Sequence, residues 1–104
     1  MSNFIKRLLA KDHATRPTIS WMARVMLQDF NKAPEDAQDD FRSALPSELI
    51  QYHHTLGKDI RNKFHLWNYK WTPQLENGID MSPEHPDAVS MRVINLLHQL
   101  VQND

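Results

Sequence analysis

The chain has 104 residues, two glycines and no cysteine, and its formal net charge is −1. That length fits one domain, the missing cysteine excludes disulfides, thiol nucleophiles, iron–sulfur clusters and thiolate zinc sites, and two glycines are too few for a phosphate-cradling loop. The near-neutral balance gives no global pull toward nucleic acid or anionic lipid, so double-stranded nucleic acid is not an expected partner.

Residues 3–10 place Phe4, Ile5, Leu8 and Leu9 at helical spacing, which predicts a short first helix. This apolar run is too short for a secretory leader. No later stretch reaches the length of about 18 apolar residues that a membrane span needs, so the expected location is the cytoplasm. Residues 11–18 read as a linker, after which Ser20 is placed to cap a second helix. Trp21, Met22, Val25, Met26 and Phe30 form its apolar face, and Asn31 to Pro34 end it. Pro34 opens the next helix, with Glu35 and Asp36 favourably placed against its dipole and Phe41 and Leu45 as its apolar contacts.

Pro46, Ser47 and Glu48 begin what the spacing predicts to be the longest helix, 47–64. Its stripe is Leu49, Ile50, His53, Leu56, Ile60 and Phe64, with Gly57 inside it. Residues 65–85 form an irregular, aromatic-rich connection: Trp67, Tyr69 and Trp71 alternate, as in a short strand over 67–71, and Asn77-Gly78 signals a turn. Pro86 and Asp87 then start a helix to about residue 101, burying Ala88, Val89, Val93, Leu96, Leu97, Leu100 and Val101. The expected fold is all-α: one compact domain over 1–104 with four to five helices, divided into an N-terminal helical part, 1–45, and a core, 46–104.

The small net charge hides a segregation. Lys6, Arg7, Lys11 and Arg16 crowd the first segment, and Lys58, Arg61, Lys63 and Lys70 a later one. Glu35, Asp36, Asp39 and Asp40 form one acidic block, and Glu76, Asp80, Glu84 and Asp87 another. Such blocks either pair within the molecule as solvated faces or present separate patches. Asp36, Asp39 and Asp40 are the candidate acidic face toward a partner; the run lacks the order of ligands and the glycine of a calcium loop.

Six histidines raise the question of a metal, but none pairs with another at i+3 or i+4, and no metal ligand set or cofactor is assigned. Between Lys58 and Trp71, bases interleave with aromatics. Arg61 suits a phosphate or carboxylate, Lys63 adds charge, Trp67 or Trp71 offers a stacking face, and Asn62 either reads a ligand edge or caps a helix end. The structural alternative puts the tryptophans in the core and pairs Arg61 with Asp87 or Glu84. In His85-Pro86-Asp87 with Ser90, either His85 or Ser82 caps the last helix; functionally, that helix start is an anion site if Arg61, paired with Asp87, offsets the charge of Asp87 and Glu84.

The stretch Tyr52–Trp67 resembles the core of an uncharacterised bacterial and phage domain family. The family's pattern is His-x-x-Leu-Gly-x-x-Ile-Arg-Asn-x-x-x-Leu-Trp, followed after a spacer by His-Pro-Asp-x-x-Ser, here His85 to Ser90. The resemblance covers about half the chain. It implies a small α-helical domain in which His53, Gly57, Arg61, Asn62, Trp67, His85, Asp87 and Ser90 form one constellation, and it supplies no activity. His54 stands where the family commonly has an apolar residue.

The expectation is therefore a small non-enzymatic binding protein with no catalytic residues assigned. It grips a host protein or sequesters a small nucleotide, in a phage counter-defence or host-takeover role within the host-cell cytoplasm. Alternatives are a bacterial accessory domain that forms homo-oligomers through Met22, Met26, Leu96 and Leu100, and a metal-independent enzyme using histidine and arginine.

Overall fold

Residues 16–102 are described by a computed structural model. The helix expected over residues 3–10 lies outside them. The first described helix, α1 (Ile19–Lys32), is capped by Thr18 rather than Ser20: the Thr18 hydroxyl accepts the Trp21 N–H at 3.1 Å. Moving the start two residues earlier satisfies an orphan first-turn donor. Met22, Ala23, Met26 and Phe30 face the core. Trp21 does not, being 55% exposed, and it lies edge-on to Phe64.

Helix α2 (Glu35–Ser43) follows Pro34 and carries Glu35 and Asp36 in its first turn, as the dipole favours. Phe41 is buried, whereas Leu45 lies beyond the helix end and is exposed, a correction to its expected packing role.

The long helix expected over 47–64 is two pieces. Pro46–Tyr52 winds as a 3-10 helix. The Glu48 carboxylate accepts the Leu45 N–H at 2.7 Å, and the Leu45 carbonyl accepts the Glu48 N–H at 2.8 Å. After a turn at His53–Thr55, α3 (Leu56–Lys63) begins. It stops where His65 takes a left-handed φ of 51°, and a 3-10 turn, Leu66–Asn68, follows.

No strand forms over 67–71. A minimal antiparallel hairpin of β1 (Leu75–Glu76) and β2 (Ile79–Asp80) lies further on. Its turn is Asn77-Gly78, with φ of 52° and 80°. Two consecutive positive φ values are what a tight hairpin of matching twist requires.

The longest described helix is α4 (Pro86–Gln102), and the fold is arranged around it: α1, α2, α3 and the 3-10 helix all pack against it. Val89, Val93, Ile94, Leu97 and Val101 are buried. Ala88, Leu96 and Leu100, expected on the same face, are half-buried flanks, while Ile94, Ser90 and His98 join the buried set. The described helices share one hydrophobic core, with α1 and α4 supplying most of it. None of them is long and apolar enough to cross a membrane.

Candidate functional site

The break between the 3-10 helix and α3 creates the site. A continuous helix would use the His53 carbonyl for its own ladder. Here the turn releases it, and the Arg61 Nη2 donates to it at 3.2 Å. Arg61 Nη1 donates to the Ser90 hydroxyl at 2.9 Å, and Ser90 donates in turn to the Asp87 carbonyl at 3.0 Å. The Arg61 Nε stands 3.6 Å from Asp87 Oδ1. Arg61 is 8% exposed, so all three nitrogens of the buried guanidinium fork face protein partners.

Gly57 makes the space. A Cβ there would lie 3.0 Å from Arg61 Nη1 and 3.6 Å from the Ser90 hydroxyl. The glycine one turn before Arg61 thus lets the guanidinium lie flat between α3 and α4, and the two sequence motifs meet.

Asp87 is the hub. Its Oδ2 lies 4.0 Å from both His53 Nε2 and His85 Nδ1. His85 Nδ1 accepts the Asp87 N–H at 3.0 Å, so His85 rather than Ser82 caps α4 through its ring. His53 Nδ1 is buried without a hydrogen-bond partner among the described residues. No group of three His, Asp or Glu side chains among those residues is arranged to hold a metal ion.

The His85 ring lies edge-on to both Trp67 and Trp71, each 5.3 Å away between centroids. Trp67 is exposed and Trp71 half-buried, so neither plugs the core. Trp71 is fixed by its indole N–H, which donates to Asp80 Oδ2 at 2.9 Å. Asp80 Oδ1 accepts the N–H groups of Gln74 and Ser82 at 3.0 and 2.9 Å. Three donors on one carboxylate, the Trp71 indole first among them, hold the Asp80 carboxyl below its ordinary pKa. This side chain ties the second strand of the hairpin to Trp71 and to the backbone on either side of the hairpin, at Gln74 and Ser82.

Between the 3-10 helix, the hairpin and the start of α4 lies a groove of about 430 Å³. His53, His85, Asp87 and Asp80 supply its polar lining, and Ile50, Ile79 and Met81 its exposed apolar rim.

The structure thus brings together His53, Arg61, His85, Asp87 and Ser90, with Trp67 and Trp71 alongside. It separates Asn62 and Lys63, which turn to another face of α3, where Lys63 Nζ pairs with Asp29 at 3.3 Å. Arg61 is corrected from a ligand-facing cation to an internal tie. Asp36, Asp39 and Asp40 lie exposed on α2, apart from the groove, with Asp39 paired to Arg42 at 3.6 Å. Sequence reading missed Ile50 as a rim residue, and with it Ile79, Met81 and Asp80. The Asn77-Gly78 turn was the one signal that a hairpin would present the last three.

A family model described as Domain of unknown function (DUF6794) matches residues 23–100. The match spans both motifs, beginning inside α1 and ending two residues before the end of α4. No curated protein and no solved structure matches the chain.

Proposed function

The chain belongs to this family of domains of unknown function (DUF6794), and we propose that it is a non-enzymatic binding protein that grips a segment of a partner protein in the groove at the start of α4. The observation that carries this reading is the rim. Ile50, Ile79 and Met81 are 64%, 62% and 55% exposed around a concavity that also holds His53, His85 and Asp87. An apolar rim around a few convergent polar groups favours association with another surface.

A polypeptide suits this groove better than a nucleotide. Asp80 and Asp87 line it and repel phosphate. The bases expected to hold phosphate are elsewhere, Arg61 engaged inside the fold and Lys63 paired with Asp29. The resemblance to phage domains makes a host protein the partner of choice and counter-defence or host takeover the setting.

Native mass spectrometry of the full-length protein purified from its host cells tests this. An added protein mass is expected, lost in Met81→Glu and retained in Leu45→Glu, which alters an exposed leucine elsewhere. A nucleotide-sized adduct, or an added protein that Met81→Glu retains, overturns the reading.

A further inference from the structure

A second concavity, of about 490 Å³, opens on the face of α3 away from Arg61. That volume lies in the range of small-molecule sites, roughly 300–1,000 Å³. Its floor is the buried Met26, Phe30, Phe41 and Leu97, with Tyr52 and Leu56 on one wall. Three of these residues form an aromatic chain, Phe30 to Phe41 at 5.7 Å and Phe41 to Tyr52 at 5.2 Å. Phe30 already holds a cation, with the Arg42 guanidinium carbon 5.5 Å from its ring centre.

The charge at the mouth is lopsided. Lys63 and Asp29 cancel one another at 3.3 Å. Asp59 lines the same opening and has no ion pair among the described residues. Burial pushes the Tyr52 hydroxyl above its ordinary pKa, and the nearby carboxylates of Asp40 and Glu48 push it in the same direction. With Arg42 set against Asp39 at 3.6 Å, the carboxylates of Asp40, Glu48 and Asp59 leave the surroundings of the floor net anionic.

An apolar, aromatic floor under a net-negative mouth selects a ligand with a hydrocarbon body and a positive head. We propose that this groove is a binding site for a small hydrophobic amine, whose ring or short alkyl body sits among Phe30, Phe41 and Tyr52 and whose ammonium lies toward Asp59. The site is separate from the partner groove and does not depend on it.

The test uses a matched pair of probes, 4-phenylbutylamine and 4-phenylbutyrate, titrated calorimetrically into the full-length protein. The amine is expected to saturate, and the carboxylate to bind about tenfold more weakly, as one unbalanced charge near the surface produces. Asp59→Asn is expected to narrow that gap. Ala37→Leu, at an exposed position on the groove wall, is expected to fill the groove and abolish amine binding without lowering Tm. Equal binding of the two probes, failure of the amine to saturate, an unchanged gap in Asp59→Asn, or full amine binding by Ala37→Leu each overturns the proposal.

Discussion

Arg61 carries its charge inward, and Gly57 is the residue that allows it. In Gly57→Ala the new Cβ would meet Arg61 Nη1 at 3.0 Å. Alanine gains about 1 kcal/mol of helix propensity. The guanidinium cannot move aside cheaply, because Ser90 and the His53 carbonyl hold it. Losing those bonds in a buried setting costs about 1–3 kcal/mol each, so the variant should be less stable by about 1 kcal/mol or more, read as a fall in Tm of at least about 4 °C. An unchanged or raised Tm would show that the fork is not held. Asp80 gives the second residue-scale expectation. Its folded pKa lies below its unfolded value, so its support for the loop is complete above about pH 4 and is lost as pH falls through the lowered folded value. The Trp71 indole N–H resonance should keep its bonded position to pH values below the ordinary carboxylate range and then shift, and Asp80→Asn should abolish that acid step. The Arg61–Asp87 contact was half legible in the sequence, which offered Asp87 or Glu84 as the partner of Arg61; the fold gives Arg61 to Asp87 and leaves Glu84 to Arg16 and Arg92. Asp80 was not legible, because its role depends on three donors that only the folded loop assembles.

At the scale of elements, the helices around α4 follow from periodicity and punctuation, and the misread element shows where periodicity stops informing. Leu49, His53, Leu56 and Ile60 step by 4, 3 and 4 residues, a spacing that fits one long helix or two short ones packed on the same neighbour. The choice is made by Thr55, whose φ of −109° and ψ of −85° leave the helical region, and by Arg61, which takes the carbonyl the break sets free. Neither influence is local enough to read along the chain. The start of α1 was misplaced for a simpler reason: Thr18 and Ser20 are both good caps, and only the bond from the Trp21 N–H distinguishes them. Thr18→Ala should therefore lower stability by about 1 kcal/mol, while Ser20→Ala, inside the first turn, should change it by less than about 0.5 kcal/mol. Parallel urea titrations of the two variants check this, and equal effects would move the cap.

Across the whole molecule, the first basic block of the chain meets the last acidic one in space, and a base of the second basic block pairs with an acid outside the blocks. Arg16, from the first basic block, pairs with Glu84 of the last acidic one at 2.9 Å, and Lys63 crosses from α3 to Asp29 on α1. These pairs are partly exposed and each contributes little; they fix how surfaces face each other more than how tightly the fold holds. Cohesion resides in α4, whose inner face touches the other described helices, so a loss there should be felt by all of them at once. Ile94 is fully buried at its centre, and Ile94→Ala should cost about 3 kcal/mol from lost transfer energy and the cavity left behind. For a domain of this size that is a fall in Tm of about 12–24 °C. If the shared core makes folding cooperative, the transition followed by circular dichroism and by tryptophan fluorescence should remain single and coincident. Leu45→Ala, which removes an exposed side chain of similar size, should shift Tm by only a few degrees. Separate transitions for the two probes in Ile94→Ala would mean that α4 joins units that fold independently, and that the Arg61 tie, rather than the core, holds the motif-bearing half together.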